Sequence, residues 1–357
     1  MHARPSIDVP ECDPVSEDAS GLTARILGFI AAPAAADFDP LALDVHRHQY
    51  ATNGPYRRFV DRLGVMPAHW TEIPAVPASA FRDSVLACGP AARVYQSSGT
   101  TQGTERRARH HVVDVAVYRA AALAGFGRAV LPAGARRPFL SAAPERHTHP
   151  SSSLGEMVSW LRADYAAGQD GPPSFLGAGG PDLAGLAAAL DALDGRPILL
   201  IAVTSALLRL GDEARRAGRR WALPPRSLVV DTGGCKGYDE DLPRAAILER
   251  YHETLGVVPA DVVNEYGMTE LCSQLYGRAA EPHRAPPWLR TLVCDPATGR
   301  ELPLGEPGLL RHVDLANVHS VVAIQTEDVG RAVDGGIELL GRAGDAPPRG
   351  CSLLVHS

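Results

Sequence analysis

Lysine is nearly absent from this chain: of 35 basic residues only one, Lys236, is not arginine. A composition that suppresses lysine so strongly marks the survivor for a functional reading. Positive charge in excess is also missing. With a net charge of −6 the chain has no basic balance for non-specific nucleic-acid binding. The cysteines (Cys12, Cys88, Cys235, Cys272, Cys294, Cys351) are scattered with no Cys-x-x-Cys pair, which argues against a zinc site and a disulfide framework. The start, Met1 to Pro5, lacks the apolar core of a signal peptide. The longest apolar stretch, Ile198 to Leu208, is interrupted and too short to span a bilayer. The expectation is a soluble, cytoplasmic protein with neither nucleic acid nor membrane as partner.

What is present is enough apolar residue, 45% of 357, for one large domain or two smaller ones. Residues 1–20 are polar and read as a disordered tail. Helical spacing marks Gly21 to Ala36, Leu41 to Tyr50 and Tyr56 to Leu63. Trp70 to Phe81 carries Pro74 and Pro77 and reads as an extended connector. From Asp114, a good N-cap, strand and helix patterns alternate. Strands fall at Phe139–Ala142, Pro173–Leu176, Pro197–Val203, Ser227–Asp231 and Asp261–Asn264. Helices fall at Val115–Leu131, Ser153–Tyr165, Asp182–Leu193, Ser205–Ala217 and Leu242–Leu255. Such alternation means an α/β fold with a mainly parallel sheet, helices on both faces, and ligands at the carboxyl ends of the strands. After Pro282 the strands become short and are punctuated by Gly and Pro: Thr291–Asp295, Gly308–Asp314, Ser320–Gln325, Gly336–Leu340. They suggest a small, antiparallel, barrel-like subdomain. The expected division is a tail over 1–20, α/β subdomains for nucleotide and acid over 21–281, a β subdomain over 282–340 and a terminal segment over 341–357.

Three glycine-marked turns carry the chemistry. Ser97 to Thr104 packs five hydroxyls and two glycines into eight residues, a composition that lets backbone N–H groups and hydroxyls converge on a polyphosphate. It is not the Walker loop, whose Gly-x-x-x-x-Gly-Lys-Ser/Thr is absent. The second turn is Thr232-Gly233-Gly234-Cys235-Lys236-Gly237-Tyr238. The third, Asn264-Glu265-Tyr266-Gly267-Met268-Thr269-Glu270, breaks an apolar strand with polar residues. Glu270 there can ligate Mg²⁺ through oxygen, or serve as the acidic first turn of a helix. His110 and His111, following Arg106, Arg107 and Arg109, can draw in phosphate or an acidic substrate, but read rather as the solvated rim of the first loop. Arg146, His147, His149 and Ser151 to Ser153 are placed by topology at an acid-binding pocket.

Four motifs in order make a resemblance specific: Ser97-Ser98-Gly99-Thr100-Thr101, Tyr266-Gly267-Met268-Thr269-Glu270, Thr326-Glu327-Asp328 and Gly341-Arg342. Together they resemble the adenylate-forming superfamily of acyl- and aryl-CoA synthetases. Asp231-Thr232-Gly233-Gly234-Cys235-Lys236-Gly237, Asp314-Leu315-Ala316-Asn317, Gln325-Thr326-Glu327-Asp328 and Arg349-Gly350-Cys351-Ser352-Leu353 bring it nearest the acyl-protein synthetases of the bioluminescence fatty-acid reductase complex and related aryl-acid adenylating proteins. The resemblance covers roughly residues 50–353. It implies the large N-terminal domain of that fold and an acid-activating ligase. The cofactors would be ATP and Mg²⁺, the substrate a small carboxylic acid, fatty or aryl, and the acceptor a thiol, an amine, CoA or a carrier protein. A homodimer or an acyl-transfer complex fits the same resemblance.

Carried over, Ser97, Ser98, Gly99, Thr100 and Thr101 would wrap the β- and γ-phosphates. Gly233 and Gly234 would let backbone approach adenine, with Glu265, Tyr266 and Gly267 in the same site and Tyr266 stacked on the ring. Thr269 would touch the α-phosphate and Glu270 ligate the metal. Asp328 would bind the ribose hydroxyls with Arg342 nearby. Two departures stand out. Gln102-Gly103-Thr104-Glu105 replaces the usual Gly-x-Pro-Lys. Only fifteen residues follow Arg342, so the superfamily's mobile C-terminal domain and its lysine are expected to be missing or vestigial. Lys236 is then the candidate for supplying charge, and Cys351 the candidate acyl acceptor. An acyl-CoA ligase and a non-catalytic nucleotide-binding subunit remain as alternatives.

Overall fold

The computed structural model describes residues 19–97, 107–168, 174–177, 179–235, 238 and 242–343. Three helices open it: α1 (Ala19–Ala31), α2 (Phe38–Thr52) and α3 (Gly54–Leu63). Then come a short strand β1 (Val76–Pro77), a hairpin of β2 (Arg93–Gln96) and β3 (Arg109–Val112), and α4 (Val115–Ala129). The alternating run is β4 (Phe139–Ala142), α5 (Ser153–Tyr165), a small hairpin of β5 (Leu176–Gly177) and β6 (Gly180–Pro181), α6 (Leu183–Asp191), β7 (Leu199–Val203), α7 (Thr204–Arg216), β8 (Leu228–Thr232), α8 (Arg244–Leu255), β9 (Val262–Tyr266) and β10 (Leu275–Arg278). Four strands close the described chain: β11 (Leu289–Cys294), β12 (Pro307–Asp314), β13 (Ala323–Val333) and β14 (Gly336–Arg342).

The central sheet runs β10-β9-β8-β7-β4. β4, β7, β8 and β9 are parallel, and β10 lies antiparallel at one edge. Its strands read as continuous apolar runs because both faces are covered. Phe139, Leu199, Ile201, Leu228 and Val230 pack with α1, α2, α4 and α5, while Leu140, Leu200, Ala202 and Val229 pack with α6, α7 and α8. The helices start where the sequence offers caps. Asp114, Ser152 and Asp182 each accept a backbone N–H at the head of α4, α5 and α6, a contribution of about 1 kcal/mol apiece.

A second sheet takes the order β1-β13-β12-β11, with β14 on the far half of β13; all its pairs but β1–β13 are antiparallel. Pro77 is tolerated because β1 sits at an edge. The expected extended connector is therefore not uniform: 3-10 turns at Trp70–Glu72 and Ala78–Arg82 flank the paired Val76–Pro77. The fully buried Gln49 of α2 ties the helices to this sheet. Its amide donates to the carbonyls of Asn317 and Val318 (2.9 and 3.1 Å) and accepts from the Val322 N–H (2.9 Å). No described helix is long and apolar enough to cross a membrane.

One buried carboxylate locks the carboxyl end of β8. Asp231 is fully buried and accepts from Arg244 (2.6 Å), Thr204 (3.1 Å), Tyr251 (3.1 Å) and Asn264 (3.2 Å). Asp231→Ala strands the Arg244 guanidinium and three polar groups. The expected loss is about 3–5 kcal/mol of unfolding free energy, read from urea melts followed by circular dichroism.

Candidate functional site

Asp328 sits where β13 is irregular on both sides. Leu309 pairs with Val329 but Arg311 with Gln325, so two steps along β12 face four along β13. On the other side Val329 pairs with Gly341 but Gly330 with Leu339. Bulges of this kind re-aim a side chain out of the ladder. Thr326 pins the distortion, its hydroxyl donating to the Leu310 carbonyl (2.8 Å) and accepting the Asp328 N–H (3.1 Å). The polar Thr326-Glu327-Asp328 run, which from sequence ends the strand at Gln325, is thus a kink inside a longer one.

The kink aims the Asp328 carboxylate at the end of β9. Tyr266 donates its hydroxyl to one oxygen (2.8 Å) and Arg342 its Nε–H to the other (2.8 Å). Arg342 reaches it because β14 places it directly opposite Asp328. Three residues from separate motifs are thereby bonded together. The Tyr266 hydroxyl is pushed well above its ordinary pKa by burial and by the Asp328 charge, so it remains a donor.

Glu270 lies in the turn after β9, buried, within the charge field of Arg342 and Asp328. Burial pushes its carboxyl up to about 7, against the pull of a backbone N–H and of Arg342. The turn is held from the second sheet. Asn317 donates to the Glu270 carbonyl (2.8 Å), and the Cys272 N–H donates to Asn317 (2.9 Å) and Asp314 (3.0 Å). Asp314 also accepts from Ser273 (2.7 Å). The Asp314-Leu315-Ala316-Asn317 motif is therefore a clamp on the Thr269–Glu270 turn.

The same turn is bonded to the first loop. His110 is on β3, 1% exposed, with Nδ1 2.8 Å from the Thr269 carbonyl and its ring edge-on to Phe81. The reading of His110 as solvated rim is overturned: burial holds it neutral, its pKa down at about 4, and it carries the hairpin onto the third turn. Arg109-His110-His111-Val112 carries no apolar alternation in sequence, and only the structure shows its alternating burial. Ser97 closes the base of the hairpin, its N–H donating to the Ala108 carbonyl (3.0 Å) and its hydroxyl accepting the Ala108 N–H (3.2 Å).

Gly233 and Gly234 follow Thr232, which pairs with Glu265 in the β8–β9 register, and both take positive φ (81° and 56°), a backbone that favours glycine. Glu265 faces away from Tyr266, as alternation along β9 requires. It accepts the Thr232 hydroxyl and helps line a small cavity of about 10 Å³, room for a single water, with Phe126, Leu154, Met157, Leu161, Ile201, Val230 and Tyr276. Burial pushes the Glu265 carboxyl up to about 7, the Thr232 bond opposing. A Cβ at Gly267 would sit 2.5 Å from Glu265 Oε1, so a side chain there must displace the Glu265 carboxylate. The segment from Arg146 to Ser153 does not line this cavity. Arg146 pairs with the buried Glu156 (3.2 Å), Ser152 caps α5 and Ser153 accepts from Tyr118 (3.0 Å). Ser98, Gly99, Thr100, Thr101, Lys236 and Cys351 lie outside the described residues. No group of three metal-ligating side chains occurs among the described residues.

No family model matches the chain. Over 140 residues it is 26% identical to a long-chain-fatty-acid–luciferin-component ligase of Vibrio harveyi, a match covering 36% of this chain. It spans only 37% of that relative's length. Among solved structures, 2-hydroxyisobutyryl-CoA ligase in an open conformation, in complex with 2-HIB-AMP and CoA, superposes with a TM-score of 0.61 at 17% identity, covering 92% of this chain and 71% of the other. The same ligase in the postadenylation state gives 0.61 at 17%, over 96% and 73%. The chain has the fold of the adenylate-forming ligases. The resemblance to that superfamily, and within it to the acyl-protein synthetases, is borne out. In this adenylate-forming fold the Tyr266–Asp328–Arg342 cluster lies at the carboxyl end of β9.

Glu270 makes the site electrostatically costly. Its folded pKa, about 7, exceeds its ordinary value of 4.5, so its contribution is favourable below that ordinary value and is lost as pH rises through 7. Glu270→Gln removes the ionisation. Relative to wild type, the variant should gain about 2 kcal/mol more stability at pH 8 than at pH 5, measured by thermal melts at both pH values.

Proposed function

We propose that the chain activates a carboxylic acid, fatty or aryl, with ATP, forming an acyl adenylate and releasing pyrophosphate. One observation carries the reading: Tyr266, Asp328 and Arg342, drawn from three distant motifs, are bonded together beside the buried Glu270. A carboxylate suits a cis-diol, so Asp328 takes the ribose hydroxyls, with four acceptor sites of which two are in use. Tyr266 stacks on adenine, and Gly233 and Gly234 admit the ring to the backbone. Ser97, Ser98, Gly99, Thr100 and Thr101 surround the β- and γ-phosphates, and Thr269 reaches the α-phosphate.

Mg²⁺ fits the donor set as a nucleotide-borne ion. Magnesium in such sites takes one or two carboxylates and completes its shell from phosphates and water, and Glu270 provides one buried carboxylate. The metal would neutralise charge on the departing pyrophosphate, and its field would keep Glu270 ionised at neutral pH. The substrate carboxylate oxygen attacks the α-phosphorus in line, the α–β bridging bond breaks, and pyrophosphate leaves with the electron pair. Two anions must meet in this step, so Lys236, the sole lysine, supplies positive charge there. In the second step a thiol or amine attacks the acyl carbonyl and AMP leaves. Cys351 is the internal candidate acceptor, and CoA or a carrier protein the external ones.

ATP–pyrophosphate exchange across a panel of fatty and aryl acids tests the reading, and silence with every acid would leave only a binding subunit. Lys236→Met should lower exchange by about 100-fold. Asp328→Ala should raise the KM for ATP by about tenfold or more, for a lost charge-assisted pair of contacts. Mass spectrometry after incubation with ATP and acid reads an acyl adduct on Cys351, and added CoA reads the thioester.

A further inference from the structure

His312, in the middle of β12, belongs to none of the motifs and is unused by the proposed function. It is fully buried, yet both ring nitrogens are engaged. Nδ1 lies 2.9 Å from the Thr291 hydroxyl and Nε2 lies 3.3 Å from the Tyr266 hydroxyl. The directions of these bonds follow from the far end. An ionised carboxylate only accepts, so Tyr266 spends its one proton on Asp328. The Tyr266 oxygen can then only accept, and His312 Nε2 must carry the hydrogen. A neutral imidazole, which burial enforces here with a pKa down at about 4, leaves Nδ1 bare to accept from Thr291. Every donor points the same way, and each bond polarises the next.

We infer that His312 is a positioning residue for nucleotide recognition, the middle of a one-way chain from Thr291 through Tyr266 to Asp328. It fixes the rotation of the Tyr266 ring, and through the tyrosine proton it holds one oxygen of Asp328 while Arg342 holds the other. The carboxylate then stands in one orientation before a ribose arrives, and less freedom is lost on binding. The inference rests on the nucleotide reading above, and its signature is discrimination between ribose and deoxyribose.

The test uses the full chain and measures binding of ATP, 2′-deoxyATP and 3′-deoxyATP by calorimetry. His312→Phe keeps a ring and removes both nitrogens. ATP affinity should fall about three- to tenfold, the worth of one positioned hydrogen bond, and preference for ATP over both deoxy analogues should shrink by a similar factor. His312→Gln, which returns an N–H toward Tyr266, should restore the preference to within about twofold. If the Phe variant does not fold, Thr291→Val removes the upstream donor alone and must shift the preference in the same direction. An ATP preference unchanged in the folded variants overturns the role, since a purely structural residue changes stability and not sugar discrimination. Nitrogen-15 NMR of labelled histidine reads the hydrogen directly, and a proton on Nδ1 also overturns it. Wild-type protein that binds no ATP sinks the nucleotide reading itself, while the tautomer still decides the hydrogen-bond direction.

Discussion

An anion at the rim of two sheets stays put only if donors hold both of its oxygens, and the Asp328 carboxylate meets that requirement from two directions. One donor comes from the end of the parallel sheet, the other from the last strand of the antiparallel one. This joint makes the two sheets register with each other at the strand ends. The irregularity of β13 serves it by freeing Asp328 from the β12 ladder while leaving it paired with Arg342, and the Asp314–Asn317 clamp serves it by fixing the turn that follows Tyr266. The irregular register of the second sheet falls where one acid meets one tyrosine.

The neighbourhood is also electrostatically frustrated. Glu265 and Glu270 are buried with raised carboxyl pKa values, while His110 and His312 are buried and held neutral. The protein spends folding free energy to keep acids out of water in one small region, and groups strained in this way cluster at functional sites. Asp231 is the contrast: four donors surround it, and it acts as a structural rivet.

Much of this was legible in the sequence, for a physical reason. Tyr266, Asp328 and Arg342 stand out because glycine and polar residues interrupt apolar strands at each. The alternation of patterns predicted β4 and α5 to the residue, since capping and two-sided burial are local in sequence. The partners of His110 and His312 are not local. His110 meets a carbonyl 159 positions away and His312 a tyrosine 46 positions away, and no pattern in one chain announces such pairings. A histidine among arginines looks solvated until the hairpin places it under Phe81. The strands β3 and β10 were missed because neither shows an alternation or a run of apolar residues, and β13 was cut at its own kink.

The β2–β3 hairpin belongs to neither large sheet. Its ladder is private but its side chains are not: Tyr95 and Val112 are buried in the main core, His110 packs on Phe81, and hydrogen bonds tie the Gln96 N–H to the Ser151 carbonyl (2.8 Å) and His110 to the Thr269 carbonyl. Because one of these ties is to the backbone next to Glu270, any shift of the ladder is felt at the acid.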